Sequence, residues 1–141
     1  MRKSLILILG LFAILMAQFT QAQSEKDKKN DKVKAPKEDG YEMKQYFFVM
    51  LLEGKNRTQD STTAAKIQEG HIANINRLAG LGKIMVAGPF GDRGNWKGLF
   101  IFDAASKEEV EGLLKTDPAV SSGRLDYDIR PWWTAKNCVF K

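Results

Sequence analysis

Cysteine and histidine each occur once in the 141 residues, as Cys138 and His71. A single thiol cannot close a disulfide within the chain, so core packing and assembly must hold the fold together. Cys138, within Asn137-Cys138-Val139-Phe140, reads as a small apolar filler, with a disulfide between chains as the alternative. One His and one Cys far apart are too few ligands for a zinc site within one chain. No loop carries the carboxylate spacing of a calcium or magnesium site, so no metal is expected. Gly88 to Gly94 lacks the Gly-Lys-Ser/Thr ending of a phosphate-binding loop and leads into a strand, so no nucleotide cofactor is expected either. Long apolar runs are also missing. The longest, Leu5 to Met16, has twelve residues, short of the ~20 a membrane-spanning helix needs.

That run has the flanks of an export signal: Arg2 and Lys3 before it, and the small-residue site Thr20-Gln21-Ala22 after it. Residues 1–22 are expected to be a signal peptide cleaved after Ala22, which makes the mature protein secreted or periplasmic with no integral membrane segment. Removal of Arg2 and Lys3 leaves 20 basic against 17 acidic residues, a balance too even to point to a nucleic-acid partner. Residues 23–40 hold six Lys and five acids and no aromatic, the composition of a disordered charged linker. Residues 41–141 remain for one folded domain, and they hold all three Trp, all three Tyr and six of the eight Phe, which supports a globular core.

Within that domain, Lys44 to Leu52 is an aromatic and β-branched run apolar on both faces, expected as a central strand. From Thr62 to about Leu81, the spacing of Ile67, His71, Ile75 and Leu78 predicts an amphipathic helix ended by Gly80 and Gly82. A strand over Ile84 to Ala87, a turn-rich loop from Gly88 to Asn95, and a strand over Trp96 to Phe102 follow. Ser106 and Glu109 form a capping box opening a second helix with Val110, Leu113 and Leu114, which Asp117-Pro118 stops. Arg124 to Trp132 alternates apolar and polar residues as a fourth strand.

The order β-α-β-β-α-β predicts an α+β, ferredoxin-like protomer with both helices on one sheet face. Phe47, Val49 and Leu51 are expected on the other face, covered by a second copy of the chain in a homodimer. His71 is the informative polar residue. On an apolar helix stripe it is either a core histidine bonded to a carbonyl or, given a carboxylate partner, an acid–base group. Asp117 is the candidate partner, although Asp-Pro is also an ordinary turn signal, and periodicity does not bring the two together.

The segment from about Tyr46 to Trp132 resembles the YciI-like (YCII-related) family of small dimeric α/β-barrel proteins. The resemblance rests on Gly70-His71, Gly82-Lys83, Ala87-Gly88-Pro89, Gly98, Asp117-Pro118 with Gly123, and Arg130-Pro131-Trp132, in that order. It implies a ferredoxin-like protomer that dimerises and an active site built on a His–Asp pair, which here falls on His71 and Asp117. Related proteins include a dehydrochlorinase, and muconolactone isomerase-like folds perform cofactor-free proton transfer on small ring compounds.

Three functions follow from these observations. The leading one is a cofactor-independent lyase or isomerase acting on a small organic substrate, with His71 as base, Asp117 as its orienting carboxylate, and Arg93 or Arg130 binding an anionic group. The alternative is a non-catalytic periplasmic dimer that binds a small ligand or partner. The third, RNA binding, rests on the same element order and on an incomplete echo of an RNA-recognition signature in Lys97 to Phe102.

Overall fold

The computed structural model describes residues 40–136 and Cys138. The expected signal peptide (1–22) and almost all of the expected linker (23–40) lie outside the described residues. The elements run β1 (Met43–Glu53), α1 (Ser61–Gly80), β2 (Ile84–Pro89), β3 (Trp96–Phe102), α2 (Lys107–Lys115), α3 (Pro118–Ser121) and β4 (Leu125–Ala135). The four strands form one antiparallel sheet in the order β2-β3-β1-β4. This is the ferredoxin-like α+β arrangement, with the most apolar strand, β1, between two partners.

Register fixes which side of β1 faces the helices. Phe47, Val49 and Leu51 lie opposite Phe102, Phe100 and Gly98 of β3, and Val49 also lies opposite Ile129 of β4. Directly opposed residues share a sheet face. These side chains are buried in the core with Leu78 of α1 and Val110 and Leu114 of α2. The expectation that Phe47, Val49 and Leu51 occupy the helix-free face is therefore corrected. Because β1 is apolar on both sides, alternation alone could not choose between its two phases. The helix-free face instead carries Phe48, Met50 and Leu52, which are half-buried, together with Leu99 of β3. Phe100 and Phe102, the aromatics of the RNA-recognition echo, are 3% and 0% exposed inside the core. They cannot stack bases.

Each of the two longer helices begins on a side-chain cap. Asp60 accepts from Thr63 N–H at the start of α1, and Gly82, at φ +67°, turns the chain back towards β2. Ser106 caps α2, but Glu109 reaches back to Ala105 N–H rather than to Ser106. β2 continues through Gly88 and Pro89, past the expected end at Ala87. As an edge strand it tolerates a proline that donates no ladder bond. Opposite it, a Cβ on Gly98 would stand 2.7 Å from Gly88 O, so the close pairing of β2 with β3 requires glycine there. Asp117-Pro118 does not only stop α2. It opens the short helix α3, with Asp117 as cap and Pro118 at the first turn. β4 runs on to Ala135, beyond the expected Trp132. Cys138 is exposed rather than filling a core gap, because it follows the last ladder residues of β4.

Candidate active site

The stripe on α1 that holds the helix to the sheet is built from Leu78, Asn74 and His71, all buried. Asn74 is polar, so a periodicity of apolar residues does not reveal it. Its Oδ1 accepts from Arg77, whose guanidinium also donates to Thr116 Oγ1 just after α2. This links the two longer helices and fixes the height at which α2 ends. Asp117 follows directly.

Asp117 is 1% exposed, and both carboxylate oxygens are engaged. Oδ1 accepts from Ala119 N–H at 2.8 Å, capping α3. Oδ2 lies 2.7 Å from His71 Nδ1. Since a carboxylate accepts and does not donate, Nδ1 carries the proton, and Nε2 of the neutral ring is left as an acceptor. The close approach of α3 to α1 depends on Gly70. A Cβ there would stand 2.9 Å from Pro118 Cγ, so the residue preceding His71 must be small for the Asp-Pro corner to reach the ring. The ring also sits against Phe100, with centroids 6.2 Å apart.

His71 also lines an open cleft of about 410 Å³ between the middle of α1 and the edge of the sheet. Ile72 and Ile75 of α1 form one wall, and Ala87, Pro89 and Phe100 of the sheet form the other. Its polar lining comes from His71, Gln68, Asn76 and Lys97. The volume matches a small organic molecule. His71 itself is only 8% exposed, and its Nδ1 is committed to Asp117.

The two arginines expected to bind an anionic group are elsewhere. Arg93 stands exposed on the loop between β2 and β3. Arg130, opposite Phe48 in the ladder, projects from the helix-free face and is paired with Asp128. Neither lines the cleft. The cation that does is Lys97, together with Gln68 and Asn76, none of which the sequence expectations place beside His71. For Gln68 and Asn76 the usable signal is helical spacing about His71 and Ile72. Among the described residues, no group of three or more His, Cys, Asp or Glu is disposed to hold a metal ion, and no helix is long and apolar enough to cross a membrane.

No curated protein matches the chain. Among solved structures, it is similar to 5-chloro-2-hydroxyhydroquinone dehydrochlorinase from Burkholderia phenoliruptrix AC1100, in complex with 2,5-dihydroxybenzoquinone. That similarity has 21% identity and a TM-score of 0.45, and covers 61% of this chain and 92% of that one. The YCII-related domain model matches residues 46–133, a span that includes the His71–Asp117 pair and the cleft beside it. The chain belongs to the YCII-related domain family.

Proposed function

We propose that the protein is a cofactor-independent lyase or isomerase in which His71 transfers a proton to or from a small, partly apolar substrate held in the cleft. As a YCII-related domain, it is a small-molecule enzyme-like or binding module. One observation carries the catalytic reading: His71 Nδ1 is bonded to a buried carboxylate at 2.7 Å while the same ring lines an open cleft. A histidine needed only for packing gains little from such a partner, because burying a carboxylate is expensive. An imidazole that must present one nitrogen as a base gains orientation and tautomer from it.

In this reading Nε2 accepts a proton from the substrate, and the Asp117 carboxylate stabilises the imidazolium that results. The proton is then returned to a different atom, giving isomerisation, or lost with an expelled group, giving elimination. Asp117 acts through His71 and is a positioning residue.

The test is deuterium incorporation from heavy water next to the carbonyl of small cyclic ketones and lactones, with and without a carboxylate substituent, followed by proton NMR. The chain should accelerate exchange over buffer, and His71→Asn should lose about 10²- to 10⁴-fold of that acceleration, the usual share of general acid–base catalysis. No acceleration, or equal acceleration by His71→Asn, would leave the ligand-binding module as the surviving reading.

Two further parts of the proposal concern setting. Arg2, Lys3, the Leu5 to Met16 run and Ala22 support export to the periplasm or beyond. The apolar helix-free face of Phe48, Met50, Leu52 and Leu99 supports a homodimer packed sheet to sheet.

A further inference from the structure

The β1–β3 ladder contains one irregularity, and it falls beside the cleft. Leu51 pairs with Gly98, yet Leu52 pairs with Trp96, so Lys97 is an extra residue on β3 at a β-bulge. Phe102, Phe100 and Gly98 all lie on the helix side. Strict alternation would therefore send Lys97 to the helix-free face. A bulge re-aims a side chain, and Lys97 lines the cleft with His71.

Its ammonium is fixed by two contacts at the rim of the cleft. Lys97 Nζ is 2.9 Å from Gly94 O and 2.5 Å from Glu53 Oε2. Neither Gly94 nor Glu53 is among the residues lining the cleft. An ammonium has three N–H donors, and these two contacts leave one. Apart from His71, Lys97 is the only ionisable group in a lining otherwise made of apolar side chains, two amides and glycine. A single cation with an unused donor, set in apolar walls, attracts an anionic oxygen more strongly than it would on an open surface. The ion pair with Glu53 is half-exposed, with 44% of the Glu53 side chain open to solvent, so it adds little to stability and does not account for the bulge.

The geometry points to Lys97 as the anion-recognition residue of the His71 cleft, which makes the ligand a small organic anion with an apolar body, such as a monocarboxylate. This assignment rests on the cleft being a ligand site, as argued above. Lys97 holds the anionic end and the apolar body lies along Ile72, Ile75 and Phe100, within reach of His71.

The experiment uses the full-length chain and its single histidine, whose ring protons give one set of NMR signals. Benzoate and its uncharged counterpart benzamide are titrated while the His71 ring signals and the backbone amides of Gly88 and Phe100 are followed. Benzoate should bind at least tenfold more tightly than benzamide. Lys97→Gln should erase that preference, Lys97→Arg should keep it, and Glu53→Gln should strengthen it severalfold. Amide spectra of each variant establish that it is folded. Equal binding of the two probes, or a benzoate preference that survives Lys97→Gln, overturns the Lys97 assignment and leaves the proposed chemistry standing. Failure of both probes to move any of these signals overturns the cleft as a ligand site, and the assignment with it.

Discussion

The substitution Asp117→Asn changes one atom of the side chain and reverses one hydrogen bond. Asp117 accepts from Ala119 N–H through Oδ1 and from His71 Nδ1–H through Oδ2. The amide of the variant must keep its carbonyl oxygen on Ala119 N–H, since the opposite orientation would set two donors against each other. Its nitrogen then faces Nδ1, which has to accept, and the ring proton moves to Nε2. Nε2 becomes a donor where it had been an acceptor.

The cost to stability should be moderate. A hydrogen bond to a charged group contributes ~1.5–3 kcal/mol and a neutral one ~0.5–1.5, so Asp117→Asn should lose about 1–2 kcal/mol. Asp117→Ala also removes the α3 cap, worth ~1 kcal/mol, and strands the Nδ1–H and Ala119 N–H donors, for a loss of about 3–4 kcal/mol in total. In a domain of this size each kcal/mol corresponds to roughly 4–8 °C in Tm. Long-range ¹⁵N–¹H spectra of the neutral imidazole read the tautomer directly. Nδ1–H is expected in the wild type and Nε2–H in Asp117→Asn, with proton-exchange activity lost although the variant stays folded. A wild-type ring protonated at Nε2, or a variant still protonated at Nδ1, would refute the orienting role of Asp117.

Gly70→Ala gains up to ~1 kcal/mol in helix propensity but places a methyl 2.9 Å from Pro118 Cγ. Overpacking costs ~1–3 kcal/mol, so thermal unfolding should show net destabilisation, and the tautomer signal should report a loosened His71–Asp117 bond. The Lys83 ammonium, followed by the Ala105 N–H, holds the Glu109 carboxyl below the ordinary carboxylate range. Its folded pKa is thus lower than its unfolded one. Its stabilisation is present above the unfolded value and is lost as pH falls through the folded one, so acidification should destabilise the wild type more than Glu109→Gln in parallel melts. Met50→Asp, on the helix-free face, should dissociate the proposed dimer in sedimentation while Val49→Asp, in the core, should unfold the protomer; a Met50→Asp variant that still dimerises would exclude that face. Intact-mass measurement of protein exported by its host should show a chain beginning near Gln23, and retention of Leu5 to Met16 would overturn the assignment to the periplasm or beyond.

The elements of this fold are legible wherever a single residue type carries its own signal. Ser106 caps α2 because its hydroxyl offers an acceptor, and His71 faces the sheet because it shares a helical stripe with Leu78. The errors arise where two segments must be known together. The phase of β1 depends on what Phe100 and Ile129 present to it, and a strand apolar on both faces contains no preference of its own. The short helix α3 is hidden in the sequence because Asp-Pro serves equally well as an end and as a beginning. What decides between them is the space that Gly70, on a different helix, leaves for Pro118.

The same distinction explains why sequence does not bring Lys97 to the cleft. Arg93 and Arg130 stand out by their charge and by their positions beside Gly and Pro landmarks. Charge says nothing about which sheet face a residue occupies, and Arg130 follows the regular alternation of β4 to the helix-free side. Lys97 reaches the cleft only because the β1–β3 register slips by one residue at Leu51/Leu52. A bulge is a property of a pair of strands, and nothing in Trp96-Lys97-Gly98 alone announces it. Gly98 nevertheless constrains where the slip can occur, since its lack of a side chain lets β3 come within reach of Gly88, and the β1–β3 ladder is regular from there to Phe102. The irregularity is thereby confined to the end of β3 nearest the cleft, where it turns a lysine inward beside the histidine.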